Sequence, residues 1–342
     1  MKKYLNTLFV TTQQAYLYKE GESVVVKVEG ENRLRLPIHT LDGIVCFGAI
    51  SMSPFLMGHC AENDVAVSFM TEYGRFLARI HGPVSGNVLL RREQYRIADE
   101  AESASEIARS FLTGKLANSR AVLNRFIRDY SGDGDGAVGE GENRLRQYLQ
   151  RIQSPAPTDV LRGTEGEAAA SYFSVFDELI TAQKDEFCFN GRNRRPPLDR
   201  VNAVLSFVYT LLVHDCRSAL EGVGLDPYVG FLHTDRPGRP SLALDLMEEF
   251  RSFLADRLTL SLINRQQIKP GDFDHSESGA VLMNDDGRKK VLVAWQKRKQ
   301  DEVTHPYTGE KMPIGLIPHI QSKLLARHIR GEMDGYPPFI WK

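Results

Sequence analysis

The hydrophobic pattern changes period once along the chain, and that change bounds the fold. Residues 1 to about 82 carry short β-branched or alternating runs, Thr7–Thr12, Ala15–Tyr18, Val24–Val28 and Leu34–Leu36, punctuated by Gly21, Gly30 and Asn32. Gly43–Phe47 and Val65–Met70 are more apolar and read as buried strands. Between them Pro54–Glu62 has helical character, and Pro54 suits a first turn. Arg75–His81 closes the region, and Gly82-Pro83 is a natural break. From Asn87 onward the spacing becomes helical, through Val88–Ile97, Ala104–Leu112 and Lys115–Tyr130. A chain of 342 residues divided this way reads as a small β-rich domain, residues 1–82, a sandwich or roll with one helix, and a larger domain, residues 83–342. The β-rich part shows no residue pattern that points to chemistry and reads as a support for dimer contacts.

Composition narrows the function classes. Lys and Arg number 43 and Asp and Glu 44, a net charge of −1, so the chain is no basic coat for nucleic acid, although a local basic groove remains open. Cys46, Cys60, Cys188 and Cys216 are far apart and form no CxxC pair, which argues against a zinc ribbon or disulfide scaffold and fits a reducing cytoplasm. The start, Met1-Lys2-Lys3-Tyr4-Leu5-Asn6, turns polar too soon for a signal peptide. No stretch reaches about 18 consecutive apolar residues, so no membrane span is expected. A Walker lysine loop and a dinucleotide glycine fingerprint are both missing.

The chemistry concentrates between Gly230 and Arg251. Gly230-Phe231-Leu232-His233 is an apolar approach ending in a histidine, Thr234–Pro240 is a loop of Pro, Gly and Arg, and Ser241–Arg251 reads as an amphipathic helix. Asp245 and Glu248 are three apart and share a helix face, while Leu242, Leu246 and Phe250 hold the helix to a core. One imidazole with two carboxylates suits a divalent metal. Arg236, Arg239 and Arg251 around them would attract a phosphate.

Other stretches carry weaker signals. Thr164 with Glu167 three residues on fits a capping box, which places Glu165 at the first helical position, either pointing outward or merely favouring the helix dipole. Arg192, Arg194 and Arg195 lie on a loop stiffened by Pro196-Pro197 and ending at Asp199, an N-cap for the apolar helix Val201–Leu212. On that helix Asn202 and Tyr209 read as satisfied buried groups, or Tyr209 as a ring that stacks on a base. Lys115, Arg120, Arg125 and Arg128 form either a solvated basic face or a phosphate-facing stripe. Ser131–Gly136 begins like a calcium loop but has Ala137 where a third oxygen ligand belongs, so it reads as an acidic loop. Phe253–Asn264 is a helix, Asn284-Asp285-Asp286-Gly287 signals a β-hairpin, and Pro313–Arg330 is a last helix with Ile320, Leu324, Leu325 and His328 inward. Tyr336–Lys342 cannot be helical at Pro337-Pro338 and reads as a docked extension.

Taken together, Gly163-Thr164-Glu165-Gly166, the Gly191–Tyr209 block and the His233–Arg251 motif resemble the CRISPR-associated integrase, the metal-dependent DNA endonuclease of spacer acquisition, over nearly the whole chain. The Tyr336–Lys342 ending resembles the type I-C branch. The resemblance implies an α+β fold, a small N-terminal β domain on a larger all-α catalytic domain, in agreement with the period change near residue 82. It places the family's Mg²⁺ or Mn²⁺ ligands on Glu165, His233 and Glu248, with Asp245 one turn earlier in a supporting place. The family often has Asp where Glu248 stands. It implies a cytoplasmic homodimer bridged by a small ferredoxin-like partner and acting on double-stranded DNA. The reaction implied is attack of an incoming 3′-OH on a phosphodiester of the repeat; by their own charge and chemistry, Arg192, Arg194, Arg195, Arg236 and Arg239 would then neutralise DNA phosphates, with Tyr209 beside the strand. Two other classes stay open at this point: a stand-alone metal nuclease for branched DNA in repair, and a non-catalytic DNA-binding scaffold.

Overall fold

The computed structural model describes every residue except 1–5, 42, 64, 74–75, 81, 83–87, 132–135, 195, 278 and 342. The N-terminal region runs β1 (Thr7–Val10), β2 (Tyr16–Glu20), β3 (Ser23–Val28), β4 (Glu31–Pro37), β5 (Gly43–Phe47), β6 (Ser51–Met52), α1 (Pro54–Glu62), β7 (Ala66–Met70) and β8 (Phe76–Ile80). It forms two four-stranded sheets, ordered β1-β5-β7-β8 and β4-β3-β2-β6. β1, β5 and β7 are parallel, and β8 returns antiparallel. The β3–β4 turn places Glu29 and Gly30 at φ 52° and 86°, the left-handed pair that a two-residue hairpin needs.

Period two in β5 explains why it is apolar throughout. Ile44 and Cys46 enter the small core between the sheets, with Leu17, Val24, Val26 and Leu56. Val45 and Phe47 point the other way and join the large core of the helical region. The Phe47 ring lies 5.7 Å from that of Phe207. A strand covered on both faces reads as one continuous hydrophobic run. Each such side chain, fully buried, contributes about 1.5–3 kcal/mol.

The helical region follows: α2 (Val88–Asp99), α3 (Ala101–Phe126), α4 (Ala137–Arg151), α5 (Thr158–Phe173), α6 (Arg200–Gly222), α7 (Ser241–Glu248), α8 (Arg257–Asn264), β9 (Phe273–His275), β10 (Val281–Met283), α9 (Asp285–Gln300), β11 (Glu302–Thr304), β12 (Lys311–Pro313) and α10 (Ile317–Ile329). The N-terminal β-rich region and mostly helical remainder make the expected α+β architecture. α6 is the central helix, packed against α7, α8 and α10. Asp199 caps it by accepting the Asn202 amide at 2.7 Å, as the sequence suggests. It is long and apolar enough to cross a membrane, yet 67% of its most apolar window is buried inside the protein. The four cysteines are free, with Cys46, Cys60 and Cys216 buried and Cys188 exposed.

Several local expectations are corrected. The expected capping box at Thr164 does not form, because α5 already starts at Thr158, after Pro157 and with Asp159 in its first turn. Thr164 is mid-helix and donates its hydroxyl to the Val160 carbonyl at 3.0 Å. Asn284-Asp285-Asp286-Gly287 is a helix start, not a hairpin: Asn284 accepts the Gly287 amide at 3.0 Å and α9 follows. The strand before it, β10, pairs instead with β9. The expected helix Phe253–Asn264 opens in a π-helical turn, Arg251–Asp256, and is α-helical only from Arg257. The last helix is shorter than expected, with Leu324 and Leu325 buried and Ile320 and His328 half-buried. The tail is docked as expected: Phe339 is buried with its ring 5.8 Å from Phe250 and 5.2 Å from Phe253. The proposed break at Pro83, the acidic loop over 132–135 and Arg195 lie outside the described residues.

Candidate active site

The site begins with a glycine. A side chain at Gly230 would meet Asp245 Oδ2 and Ser241 at 2.8 Å, so only glycine lets this loop lie against the start of α7. The close approach brings three successive amides onto one carboxylate: Phe231, Leu232 and His233 donate to Asp245 at 2.6, 2.9 and 2.9 Å. His233 Nδ1 lies 2.6 Å from Asp245 Oδ1. Asp245 is 0% exposed, and both oxygens are used. It therefore orients the imidazole and leaves Nε2 as the nitrogen for a ligand.

One turn along α7, Glu248 is also buried, at 2% exposure. Arg251 donates to both of its oxygens, at 2.8 and 3.0 Å. Lys115 of α3 reaches the same carboxylate, with Nζ 2.8 Å from Oε2. Burial alone would push the Glu248 carboxyl up, but the charges of Arg251 and Lys115 hold it well below the usual carboxylate range. Lys115 also pairs with Glu165 from the middle of α5. Glu165 thus stands in the body of a helix rather than at its start, half-exposed and facing the same cleft as His233 and Glu248.

That cleft has a volume of about 1820 Å³ and runs between the two regions of the chain. Ser68, Met70, Tyr73 and Phe76 of the β-rich region line one side. Ser68 Oγ lies 3.0 Å from His214 Nδ1 on α6. Arg194, Arg236 and Arg239 line the cleft, the first two exposed. Desolvation, then the charge of Arg236, lower the Arg239 pKa, and Arg194 adds to this. These three make a basic approach to the carboxylates.

Arg192 and Tyr209 line the same cleft, but their polar groups are engaged by other side chains. Arg192 points inward, with Nη1 2.5 Å from Asn202 Oδ1 and Nη2 3.0 Å from Ser206 Oγ, and so fixes its own loop. Tyr209 is buried and donates to Asp256 at 2.5 Å, and the guanidiniums of Arg192 and Arg251 lie 5.2 and 4.6 Å from its ring centre. It is a satisfied buried group that offers no open ring to a base. Arg251, expected at a phosphate, is committed to Glu248. Nor do Lys115, Arg120 and Arg125 of α3, with Arg128 just beyond its end, form one stripe. Lys115 is in the site, Arg120 pairs with Glu142, and Arg125 and Arg128 pair with Asp129. Lys115 is the site residue that sequence reasoning missed.

The donor set tests the implied metal. Among the described residues no three His, Cys, Asp or Glu side chains close on one point as a finished cage. Two carboxylates instead converge on one cation, the Lys115 ammonium, beside a histidine held by an aspartate. A place that already holds one cation between two anionic oxygens is chemically compatible with a hard divalent ion, and Glu165, Glu248 and His233 are the side chains that would be available to it.

Comparison with known proteins gives the family and the fold. The family model described as CRISPR associated protein Cas1 matches residues 8–297. A CRISPR-associated endonuclease Cas1 of Chlorobaculum tepidum is 58% identical over the whole of both chains. One from Rhodospirillum rubrum is 52% identical, again over the whole of both. Among solved structures, a casposase bound to its integration product has a TM-score of 0.83 at 23% identity, covering 99% of this chain and 95% of that one, which shows a shared fold.

Proposed function

The chain belongs to the CRISPR-associated Cas1 family, and from that premise we propose that it is a metal-dependent DNA endonuclease and integrase that inserts new spacer DNA into a CRISPR array. The observation that carries the reading is the convergence of Glu165 and Glu248 on one cation position beside the Asp245-held His233, in a cleft approached by arginines. The casposase that shares the fold is described with its integration product, which supports a joining reaction over simple hydrolysis.

In the proposed reaction the 3′-oxygen of the incoming strand attacks a phosphorus of the repeat. A new phosphodiester forms, the old phosphorus–oxygen bond breaks, and the released strand keeps its own 3′-oxygen, so no nucleotide cofactor is consumed. A bound Mg²⁺ or Mn²⁺ would supply Lewis-acid polarisation of the phosphate and favour the deprotonated attacking oxygen. Glu165, His233 and Glu248 would hold that ion. Asp245 fixes the imidazole so that Nε2 faces the ligand, and Arg251 fixes the Glu248 carboxylate by a two-point contact. Arg194, Arg236 and Arg239 would hold phosphates without reading bases. A homodimer bridged by a small ferredoxin-like adaptation partner, and membership of the type I-C branch, are part of the same proposal and rest on the sequence resemblance.

The test is strand joining. The purified chain with its small partner and Mn²⁺ should join a labelled duplex bearing free 3′-OH ends to a supercoiled plasmid carrying a repeat. Glu165→Ala, His233→Ala and Glu248→Ala should each abolish joining. Nicking without joining would move the reading to a hydrolytic nuclease, and normal joining by His233→Ala would overturn the site.

A further inference from the structure

Lys115 belongs to α3, is 6% exposed, and has its ammonium between Glu165 of α5 and Glu248 of α7. Three elements distant in sequence therefore meet at one nitrogen. Glu248 already has both oxygens on Arg251. Glu165 has Lys115 as its ion-pair partner. If the lysine charge were removed, buried Glu248 and half-exposed Glu165 would face each other with no cation between them, a like-charge repulsion that the lysine now offsets.

We propose that Lys115 is a positioning residue that holds Glu165 and Glu248 at the spacing of a cation in the metal-free protein and gives up that place when a divalent ion binds. This rests on the metal reading above. The argument is one of charge. Glu165, Asp245 and Glu248 supply three negative charges, and Lys115 and Arg251 supply two positive ones. A dication entering with the ammonium still in place would put two cationic centres on the same carboxylate oxygens. Those oxygens can serve the ammonium or the metal, so the two cations compete. Lys115 preorganises the ligands and at the same time weakens the metal's apparent affinity, because the ion must displace it. Arg251 also donates to Glu248, but its guanidinium is held as well over the Tyr209 ring and does not reach Glu165, so Lys115 is the cation that bridges the two carboxylates.

A merely structural lysine predicts the opposite sign, because its loss would loosen the ligands and weaken metal binding. The experiment is Mn²⁺ titration of the full chain after EDTA treatment, read by calorimetry, with melting temperature measured in EDTA and in saturating Mn²⁺. Lys115→Met should bind Mn²⁺ about tenfold more tightly than the parent, equivalent to about 1.4 kcal/mol. It should melt at a lower temperature in EDTA and gain more from Mn²⁺ than the parent gains. Lys115→Arg, which keeps the charge, should restore melting in EDTA and return Mn²⁺ affinity toward the parent value. Unchanged or weaker Mn²⁺ binding by Lys115→Met, with the parent binding normally, would overturn the role of Lys115 alone. A parent chain that takes up no Mn²⁺ would overturn the metal reading, and this proposal with it.

Discussion

Glu248 and Glu249 are neighbours in the chain, and their carboxyl groups are pushed in opposite directions. Glu248 faces the cleft, where the charges of Arg251 and Lys115 keep it ionised against the cost of burial. Glu249 faces away, into a pocket closed by the C-terminal tail, where burial pushes its carboxyl up to about 8 against three hydrogen-bond donors. Those donors are the Tyr336 hydroxyl, Gln321 Nε2 at 2.9 Å and the Phe339 amide at 2.7 Å. Asn118, one turn beyond Lys115 on α3, donates to the carbonyls of Glu249 and Phe339 at 2.7 and 2.8 Å and accepts the Trp341 amide at 2.7 Å. The tail thus ties together the two helices that carry Lys115 and Glu248.

Cutting that tie should cost stability first. Tyr336→Phe removes one donor from a buried carboxyl, and a loss of about 1–3 kcal/mol is expected. Phe339→Ala empties a fully buried site between Phe250 and Phe253, and about 3–5 kcal/mol is expected. Urea unfolding of both variants checks the order. A Phe339→Ala chain as stable as the parent would mean that the tail is not docked in solution.

Asp245 gives a second, separable prediction. Asp245→Asn keeps the shape but puts an amide NH₂ where an oxygen accepts backbone amides and meets His233. The imidazole loses its fixed orientation. By the usual effect of such partners, Mn²⁺ affinity or joining should fall about 10–100-fold. Parallel Mn²⁺ titration and joining assays would show it, and unchanged values in both would mean that His233 needs no such support.

How much of this was legible in the sequence depends on how local each signal was. The strands of the first region could be read because burial on a sheet follows a period of two, and β5 could be read as buried because both its faces are covered. Asp199 as a cap of α6 was also readable, since the cap lies three residues from the amide it accepts. Thr164 and Asn284 misled for one reason. A short cap or turn signature does not say where the neighbouring element begins, and Pro157 starts α5 earlier while the polar, Lys-rich run after Gly287 hides α9. Lys115 was not legible as a site residue at all. Its partners lie on α5 and α7, far along the chain, and nothing near it in sequence marks it from the other cations of α3.

The basic approach to the cleft predicts a salt effect. Replacing Arg194, Arg236 and Arg239 together with Ala should weaken DNA binding on any sequence. If each meets one phosphate, the slope of log K against log salt should fall by about 0.9 per residue, or about 3 in all. Fluorescence anisotropy with a duplex at several salt concentrations measures the slope directly. An unchanged slope would place the DNA elsewhere, whereas adding Arg192 to the set should lower stability with little further change in slope, because its guanidinium is engaged by Asn202 and Ser206.

The last prediction concerns Asp256, buried behind the site in the π-helical turn after α7. Burial pushes its carboxyl up to about 6, although the Tyr209 hydroxyl and the Arg251 charge both favour the ionised form. The ordinary value is 3.8. Between these two values the folded chain holds a proton that the unfolded chain has released. The contribution of this group to stability is therefore complete below the unfolded value and is lost as pH rises from about 4 to about 6, after which it is flat. A gap of about two pKa units corresponds to about 3 kcal/mol across that window. Asp256→Asn does not titrate, so the stability of the parent minus that of the variant should fall over this range by up to that amount. Urea midpoints for both proteins at pH 4, 5, 6 and 7 isolate the effect, because every other carboxylate is common to the pair. A difference that rises with pH instead would mean that Asp256 is ionised in the fold, with Arg251 and Tyr209 outweighing its burial.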